Sequence, residues 1–278
     1  MRKVCVITGG SSGIGFESAK LLGKYFYIII AARNEEKMVN ACNKLHELGI
    51  ESTYHHLDMT DDKSIKELAI FAKKQGEVKA LLHSAGMSPH MGNYKEIIDT
   101  NAYGSVILNE EFLKIMDNGV IINISSMSSY LTPGIVIPKR KFKLAFSNVN
   151  KMKKKFYSRC RLFPKKVRSG VAYGISKNFL TWFSIAFAIK AGEKNVRVIC
   201  VSPGNFDTPM GNLEKGEASK YNSLSCLKRS GNPKEIAYLL NSIIDSNNSY
   251  LTGVDIKCDG GVFAFNENKK LIDKYIKE

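Results

Sequence analysis

A glycine-rich turn near the start of the chain constrains the fold more than any other feature of the sequence. The apolar residues 4–8 predict a short buried strand, residues 9–15 (Gly-Gly-Ser-Ser-Gly-Ile-Gly) form the turn, and residues 16–24 show helical periodicity. A second apolar strand is predicted at 25–32. The glycines allow the backbone to approach a pyrophosphate, and the helix N-terminus directs free N–H groups towards it. This order of elements therefore predicts a dinucleotide-binding unit.

Strands and helices continue to alternate along the rest of the chain. Further strands are predicted at 51–57, 78–82, 119–124, 196–201 and 254–258. The main helices are predicted at 35–48, 61–75, 93–113 (interrupted around Gly104), 173–191 and 233–244. Such alternation predicts an α/β fold, a doubly wound parallel sheet that binds ligands at the carboxyl ends of its strands. We expect residues 1–278 to form one domain, with a polar, irregular lid at about 207–230.

The end of the second predicted strand indicates which dinucleotide is bound. An acidic residue there would bind the ribose 2′-hydroxyl of NAD, but the sequence has Ala31-Ala32-Arg33-Asn34. The fixed cation of Arg33 suits a 2′-phosphate, which favours NADP(H) and leaves NAD(H) as the alternative. Stacking on the adenine, or simple solvation, is the competing interpretation of Arg33.

Tyr173 and Lys177 are candidates for acid–base chemistry. They are four residues apart in a predicted helix, so they share one face of it. A neighbouring ammonium group favours the phenolate, which lowers the pKa of the tyrosine from its ordinary value of about 10. A phenol tuned in this way can give a proton to a carbonyl oxygen or take one from an alcohol. A buried tyrosine beside a solvated lysine is the structural alternative.

A set of short motifs resembles the short-chain dehydrogenase/reductase family. In chain order the motifs are Thr8-Gly9, Gly13-Ile14-Gly15, Asp58, Ala85-Gly86, Asn101, Ser126, Tyr173 with Lys177, Pro203-Gly204 with Thr208, and Asp259-Gly260-Gly261. The resemblance extends from residue 3 to about residue 263. It implies a Rossmann-type, seven-stranded parallel sheet and nicotinamide-dependent hydride transfer between a secondary alcohol and a ketone.

The resemblance also implies catalytic roles. Tyr173 would be the general acid/base, and Lys177 would hold the nicotinamide ribose and lower the pKa of Tyr173. Ser126 would bind the substrate oxygen, although Ser125 is an alternative because only one of two neighbours along a strand faces the site. Asn101 would anchor a water molecule in the proton relay, unless it merely caps a helix.

Cofactor contacts are implied in the same way. Asp58 would meet the adenine, and Thr208 would meet the nicotinamide carboxamide unless it is an ordinary loop residue. Tyr173 and Lys177 would also touch the cofactor. The other candidates are Gly9, Ser11, Ser12, Gly13, Ile14, Gly15, Arg33, Asn34, Met59, Ser84, Ala85, Gly86, Pro203, Gly204 and Phe206.

The sequence departs from the usual family pattern in two respects. His83 stands where the family usually has an asparagine, and we interpret it as a structural substitution. Ser126 and Tyr173 are 173 − 126 = 47 positions apart, which is longer than usual and indicates an insertion at about 131–170. The segment 86–101 is, by contrast, short.

These departures resemble those of one branch of the family. Together with Ala172–Asn178 (Ala-Tyr-Gly-Ile-Ser-Lys-Asn) and Tyr250-Leu251-Thr252-Gly253, they resemble the branch that holds bacterial 3α-hydroxysteroid dehydrogenase/carbonyl reductase. This resemblance implies a hydroxysteroid substrate, such as a bile acid, or another bulky ketone.

The insertion carries nearly all of the excess charge. The chain has a net charge of +15, and residues 131–170 hold thirteen Lys and Arg and no acidic residue, so 15 − 13 = +2 remains elsewhere. Apolar residues at helical spacing between 142 and 163 predict one basic amphipathic helix. It could pack on the domain with a solvated basic face. It could also attract an anionic substrate, or lie on an anionic membrane through 139–168. Nucleic acid is not expected, since no binding motif accompanies the charges.

The remaining features predict a cytoplasmic protein. Neither a signal peptide nor a membrane span is predicted, and six scattered cysteines indicate neither disulfides nor a metal site.

The expected partner is a small alcohol or ketone. A homodimer, as in related enzymes, is a further expectation, although the insertion could block its interface. A non-catalytic nucleotide-sensing or membrane-surface protein is the alternative from another class, and Ser126, Tyr173 and Lys177 argue against it.

Overall fold

All seven predicted strands are present and form one parallel sheet. The computed structural model describes residues 1–212 and 222–275. The strand order is β3-β2-β1-β4-β5-β6-β7, and β1 pairs with both β2 and β4. The bounds are Lys3–Thr8 (β1), Tyr27–Ala32 (β2), Ser52–His56 (β3), Glu77–His83 (β4), Gly119–Ile124 (β5), Val196–Pro203 (β6) and Val254–Cys258 (β7). The order reverses between β1 and β4, which confirms the doubly wound Rossmann-type fold.

Helices cover both faces of this sheet. Their bounds are Gly13–Leu22 (α1), Glu35–Glu47 (α2), Asp62–Gln75 (α3), Tyr94–Ile98 (α4), Gly104–Ile115 (α5), Ser128–Leu131 (α6), Val149–Arg161 (α7), Arg168–Gly192 (α8), Pro209–Asn212 (α9), Pro233–Ile244 (α10) and Val262–Tyr275 (α11). Among the described residues, no helix combines the length and the apolar character needed to cross a membrane.

Successive residues of a strand contribute to two hydrophobic cores, one on each side of the sheet. Val4 and Val6 of β1 pack on the side of α3, α5 and α8, whereas Cys5 and Ile7 pack on the side of α1, α2 and α10. Both sides of the central strands are therefore buried, which explains why these strands read as continuous apolar runs rather than as alternating patterns.

The helix predicted at 93–113 is interrupted next to Gly104, as expected, and has three parts. A turn of π-helix, Asp99–Tyr103, separates α4 from α5. Gly104 begins α5, where the helix backbone passes so close to the loop after β3 that a Cβ would collide with the carbonyl oxygen of Met59. Glycine is therefore required here by close approach rather than by a special backbone angle.

Replacing Gly104 with Ala is expected to destabilise the protein by at least about 1–3 kcal/mol, because the added methyl group meets a rigid backbone atom. Gly170→Ala is the matched control, since a Cβ at this helical position meets nothing within 4 Å. The control should be neutral or slightly stabilising. Free energies of unfolding from urea titrations test this, and equal values for the two variants would contradict it.

The insertion is not the single helix that we predicted. It comprises a 3₁₀ turn at Gly134–Val136, a 3₁₀ helix at Lys139–Phe146, the α-helix α7 and a further 3₁₀ turn at Lys165–Val167. The Asn148 side chain accepts a hydrogen bond from the Lys151 amide at 2.8 Å and so starts α7 anew. Pro164 disfavours continuation of α7 towards α8. The apolar spacing was correct, but these two residues break the helix.

The apolar face of the insertion packs against α8. Phe142 and Phe156 are fully buried, and both contact Phe179 of α8, with ring centroids 5.2 and 5.4 Å apart. Exposed cations cover the opposite side: Lys139, Arg140, Lys141, Lys143, Lys151, Lys154, Lys155, Arg161, Lys165 and Lys166. This is the arrangement of a packed element with a solvated basic face, and the two buried phenylalanines are not free to enter a lipid layer.

Candidate active site

A cleft of about 410 Å³ lies where the strand order reverses, at the carboxyl ends of β1 and β4. Of the residues predicted for the site, Gly15 and Asn101 do not line it. The residues that do are Gly9, Ser11, Ser12, Gly13, Ile14, Arg33, Asn34, Asp58, Met59, Ser84, Ala85, Gly86, Ser126, Tyr173, Lys177, Pro203, Gly204, Phe206 and Thr208. Sequence motifs far apart in the chain thus converge on one cavity.

The glycine turn has the geometry of a phosphate cradle. Gly9 and Gly13 have φ angles of +70° and +55°, which favour glycine, and a Cβ on Gly9 would lie 2.9 Å from the Ala85 amide nitrogen. Ser12 precedes α1 without a side-chain capping bond, and the start of the helix lines the cleft, so N–H groups of its first turn are available to a ligand there. A pyrophosphate fits this turn. Gly15 serves packing instead, since a Cβ there would lie 2.7 Å from the Gly9 carbonyl oxygen.

Tyr173 and Lys177 lie on the cleft side of α8, which begins five residues earlier than predicted. Lys177 is 6% exposed, its Nζ donates to the Ile124 carbonyl at 2.9 Å, and it lies 5.8 Å from the centre of the Tyr173 ring. Burial lowers the pKa of Lys177 to about 8. Below that pH its charge lies beside the phenol, where it favours the phenolate.

The two serines after β5 have different environments. Ser125 is buried, and its hydroxyl donates to the Lys177 carbonyl at 2.9 Å, so it fastens β5 to α8. Ser126 Oγ accepts from the Ser128 amide at 3.2 Å, which leaves its own O–H for a ligand in the cleft. The geometry therefore favours Ser126 over Ser125 as the substrate-binding serine.

Asn101 is buried in the π-helical turn behind the cleft. Its Oδ1 accepts from the Met87 amide and its Nδ2 donates to the Met87 carbonyl, both at 2.8 Å. The side chain thus holds the loop after β4 in place. It neither caps a helix nor lines the cleft. Anchoring of a relay water by Asn101 stays a prediction.

His83 connects the same turn to the first strand. Its Nδ1 is 2.8 Å from Thr8 Oγ1, and its Nε2 is 2.8 Å from Ser105 Oγ. Because Ser105 donates its hydroxyl hydrogen to the Asn101 carbonyl at 2.9 Å, it accepts from His83, so Nε2 carries the proton. Burial, helped by the charge of Lys177, lowers the pKa of His83 to about 3. A neutral imidazole therefore bridges β1, β4 and α5.

The adenine end of the cleft holds one cation that the sequence analysis missed. Lys37 of α2 lines the cleft together with Arg33, which precedes the capping residue Asn34, and the short separation of the two cations along the chain was the available signal. Asn34 caps α2 by accepting from the Lys37 amide at 2.8 Å. Asp58 is fixed by Thr60, whose amide and hydroxyl both donate to it at 2.8 Å. Burial raises the pKa of Asp58, but these hydrogen bonds outweigh it and the pKa is lowered.

The predicted lid is described only in part. Thr208 lines the cleft near Gly13, and its Oγ1 accepts from the Gly211 amide at 3.0 Å, so it also caps the short helix α9. Residues 213–221 lie outside the described residues. Within the described part of this region, Gly231 pairs with Phe206 in an isolated parallel bridge.

Methionines at the opposite end of the cleft were also missed. Met87, Met91, Met127 and Met210 line it beside the catalytic candidates. Met87 and Met127 directly follow Gly86 and Ser126, so proximity to a motif was a signal for two of the four.

Comparison with family models agrees with this geometry. Residues 3–137 match the model described as short chain dehydrogenase, and residues 164–263 match the model described as enoyl-(acyl carrier protein) reductase. The stretch between the two matches, 138–163, falls within the insertion.

Individual relatives span nearly the whole chain. An uncharacterized oxidoreductase of Bacillus subtilis, YxbG, is 28% identical over 99% of this chain and 97% of its own length. The 3-oxoacyl-[acyl-carrier-protein] reductase FabG of Chlamydia muridarum is 25% identical over 94% and 98%. The solved structure of a point variant of actinorhodin polyketide ketoreductase with NADPH shares the fold, with a TM-score of 0.76 at 21% identity over 94% of this chain and 97% of its own. The chain belongs to the short-chain dehydrogenase/reductase family of oxidoreductases.

Proposed function

We propose that the protein interconverts a secondary alcohol and a ketone with a nicotinamide cofactor, preferably NADP(H). The observation that carries this proposal is the convergence of Tyr173, Lys177 and Ser126 on the cleft that contains the glycine turn. When bound, the nicotinamide supplies the hydride in reduction and accepts it in oxidation.

The chain's own residues manage the proton and the substrate oxygen. In reduction, Ser126 donates a hydrogen bond to the carbonyl oxygen and Tyr173 delivers the proton to it. Lys177, held by the Ile124 carbonyl, keeps a positive charge beside the phenol and so lowers the cost of losing that proton. In oxidation the same groups act in reverse. Asn101 keeps the loop after β4 in position and His83 bridges β1 and α5, and neither residue lines the cleft.

The preference for NADP(H) rests on the adenine end of the cleft. Arg33 and Lys37 line it, and the end of β2 offers no carboxylate to a ribose 2′-hydroxyl. Two neighbours in structure support this proposal: the ketoreductase named above was solved with NADPH, and a short chain dehydrogenase of Burkholderia cenocepacia J2315 was solved with NADP, at a TM-score of 0.75 and 18% identity.

Replacing Arg33 with Ala is expected to raise the KM for NADPH by about 10–100-fold, because one charge-assisted contact to the 2′-phosphate is lost. The KM for NADH should change little, and Lys37→Ala should have the same selectivity with a smaller effect. Lys44→Ala is the control, since Lys44 is an exposed cation of α2 that does not line the cleft. Equal losses for both cofactors would count against a 2′-phosphate contact.

We propose a hydroxysteroid, such as a bile acid, or another bulky ketone as the substrate. The support is the position of the insertion and the short segment 86–101, both of which resemble the hydroxysteroid branch. A panel of hydroxysteroids and bulky ketones, assayed with both cofactors by nicotinamide absorbance, tests this. Turnover confined to small linear ketones would reject the substrate proposal, and absence of turnover with the whole panel would reject the function. The cytoplasmic location and the homodimer stay predictions.

A further inference from the structure

We infer that the substrate end of the cleft selects an uncharged, apolar skeleton around the reacting carbon, and that methionines set this selection. The inference rests on the proposed function and names the substrate class for it. The substrate end is defined here as the part of the cleft lined by Met87, Pro89, Met91, Met127, Phe206 and Met210.

Methionine is concentrated at this end. Of the nine methionines in the chain, these four line the substrate end. The framework fixes two of them: Asn101 binds both main-chain groups of Met87, and the Met127 amide donates to the Pro203 carbonyl at 2.8 Å. Met91 is 38% exposed. The backbones of Met87 and Met127 are thus anchored, and the Met87 sulfur accepts from Thr100 Oγ1 at 3.3 Å, while all four residues line the cavity.

Charged groups lie elsewhere in the cleft. Among its described lining residues, the charged side chains are Arg33, Lys37, Asp58 and Lys177. The first three belong to the adenine end, and Lys177 lies under Tyr173, bound to the Ile124 carbonyl. No described lining residue comes from the basic insertion at 131–170. A carboxylate close to the reacting carbon would therefore lose its water without gaining a cation from these described residues, which is costly. The carboxylate of a bile acid is carried on a side chain remote from the ring hydroxyl groups, so it lies outside this selection.

Methionine also determines what the cleft tolerates. The side chain is unbranched, has three rotatable bonds and carries a polarizable sulfur, so it adapts to apolar surfaces of different shape. Four such side chains around one carbonyl site should accept several ring skeletons while still rejecting charge. The cleft therefore discriminates between substrates by their charge more than by their shape.

A matched pair of ketones tests the selection. Methyl 4-acetylbenzoate and 4-acetylbenzoate share one skeleton and differ in one negative charge and one ester methyl group. With wild-type enzyme and NADPH, kcat/KM for the ester is expected to exceed that for the carboxylate by at least about tenfold, the result of leaving a buried charge unpaired. Equal or better turnover of the carboxylate would overturn the inference and leave the proposed function intact. If neither this pair nor a wider ketone panel is reduced, the proposed function fails and the inference fails with it.

Two variants of Met91 test whether the residues at the substrate end cause the preference for the ester. Both Met91→Leu and Met91→Lys lose the contact of the sulfur with the Ser88 amide, so they differ mainly in charge. The leucine variant is expected to keep the preference for the ester. The lysine variant should reduce this preference several-fold by offering the carboxylate a partner, and an unchanged preference would contradict the assignment.

Binding provides a readout that does not depend on turnover. In protein labelled with ¹³C at the methionine methyl groups, the ester should shift the signals of Met87, Met91, Met127 and Met210 in the presence of oxidised cofactor. Met38, Met116 and Met152 are internal controls, because they are buried in the cores and do not line the cleft. Shifts confined to the controls, or equal shifts with the carboxylate at the same concentration, would overturn the inference.

Discussion

Replacing Tyr173 with Phe is expected to lower kcat by about 10²–10⁴-fold, the usual contribution of a positioned acid–base group. The change removes the hydroxyl that delivers the proton but keeps the ring beside Lys177. The Kd for NADPH should therefore stay within about threefold of the wild-type value, since a single neutral hydrogen bond is the most that is lost. Single-turnover rates and fluorescence titration with NADPH measure the two quantities separately.

Tyr157→Phe is the matched control for this experiment. The Tyr157 hydroxyl donates to Asp99 on the inner side of the insertion, and the residue does not line the cleft. Its replacement should leave kcat near the wild-type value. Unchanged turnover in the Tyr173 variant would refute the assignment, and an equal loss in both variants would indicate a general loss of structure.

The second large effect concerns stability in acid. Burial lowers the pKa of His83 to about 3, whereas the unfolded chain has the ordinary value of about 6.5. Between these values the unfolded state binds a proton that the folded state excludes. Stability from this group is therefore complete above about pH 6.5, and it falls by up to about 1.4 kcal/mol per pH unit as the pH drops towards 3.

His83→Asn should make the protein less sensitive to acid. The variant cannot take up this proton on unfolding, so its free energy of unfolding should fall less steeply than that of the wild type between pH 6.5 and about 4. Replacement of the exposed His90 by Asn is the control and should keep the wild-type slope. Urea titrations over this pH range provide the comparison. Parallel slopes for wild type and His83→Asn would show that the imidazole takes up its proton in the folded state.

Much of the fold could be predicted because its strands carry their own signals. Runs such as Tyr27–Ala32 are apolar throughout since both sides of the sheet are covered, and the glycine turn after β1 fixes where the first helix begins. Helical spacing also located the buried side of the insertion. It did not show that Asn148 starts a new helix, because the pattern of apolar residues continues across that break.

The candidate site was predictable where a motif lies directly at a strand end. Ser126 and Gly86 are of this kind, since parallel strands bring their carboxyl ends to the same edge. Lys37 and Met210 belong to surrounding helices, and their positions depend on how those helices pack against the sheet. Asn101 shows the reverse case: the motif was recognised, but only the structure shows that its side chain holds Met87 rather than lining the cleft.

The proposed function depends on hydride transfer from the nicotinamide to a carbonyl carbon in this cleft. The most direct measurement follows the hydride itself, using NADPH with deuterium at both C4 positions and a neutral bulky ketone, with mass analysis of the product. The proposed function predicts an alcohol with one deuterium on the carbinol carbon, formed by the wild type and nearly absent with Tyr173→Phe. An alcohol without deuterium, or no alcohol from enzyme shown to bind NADPH, would contradict it.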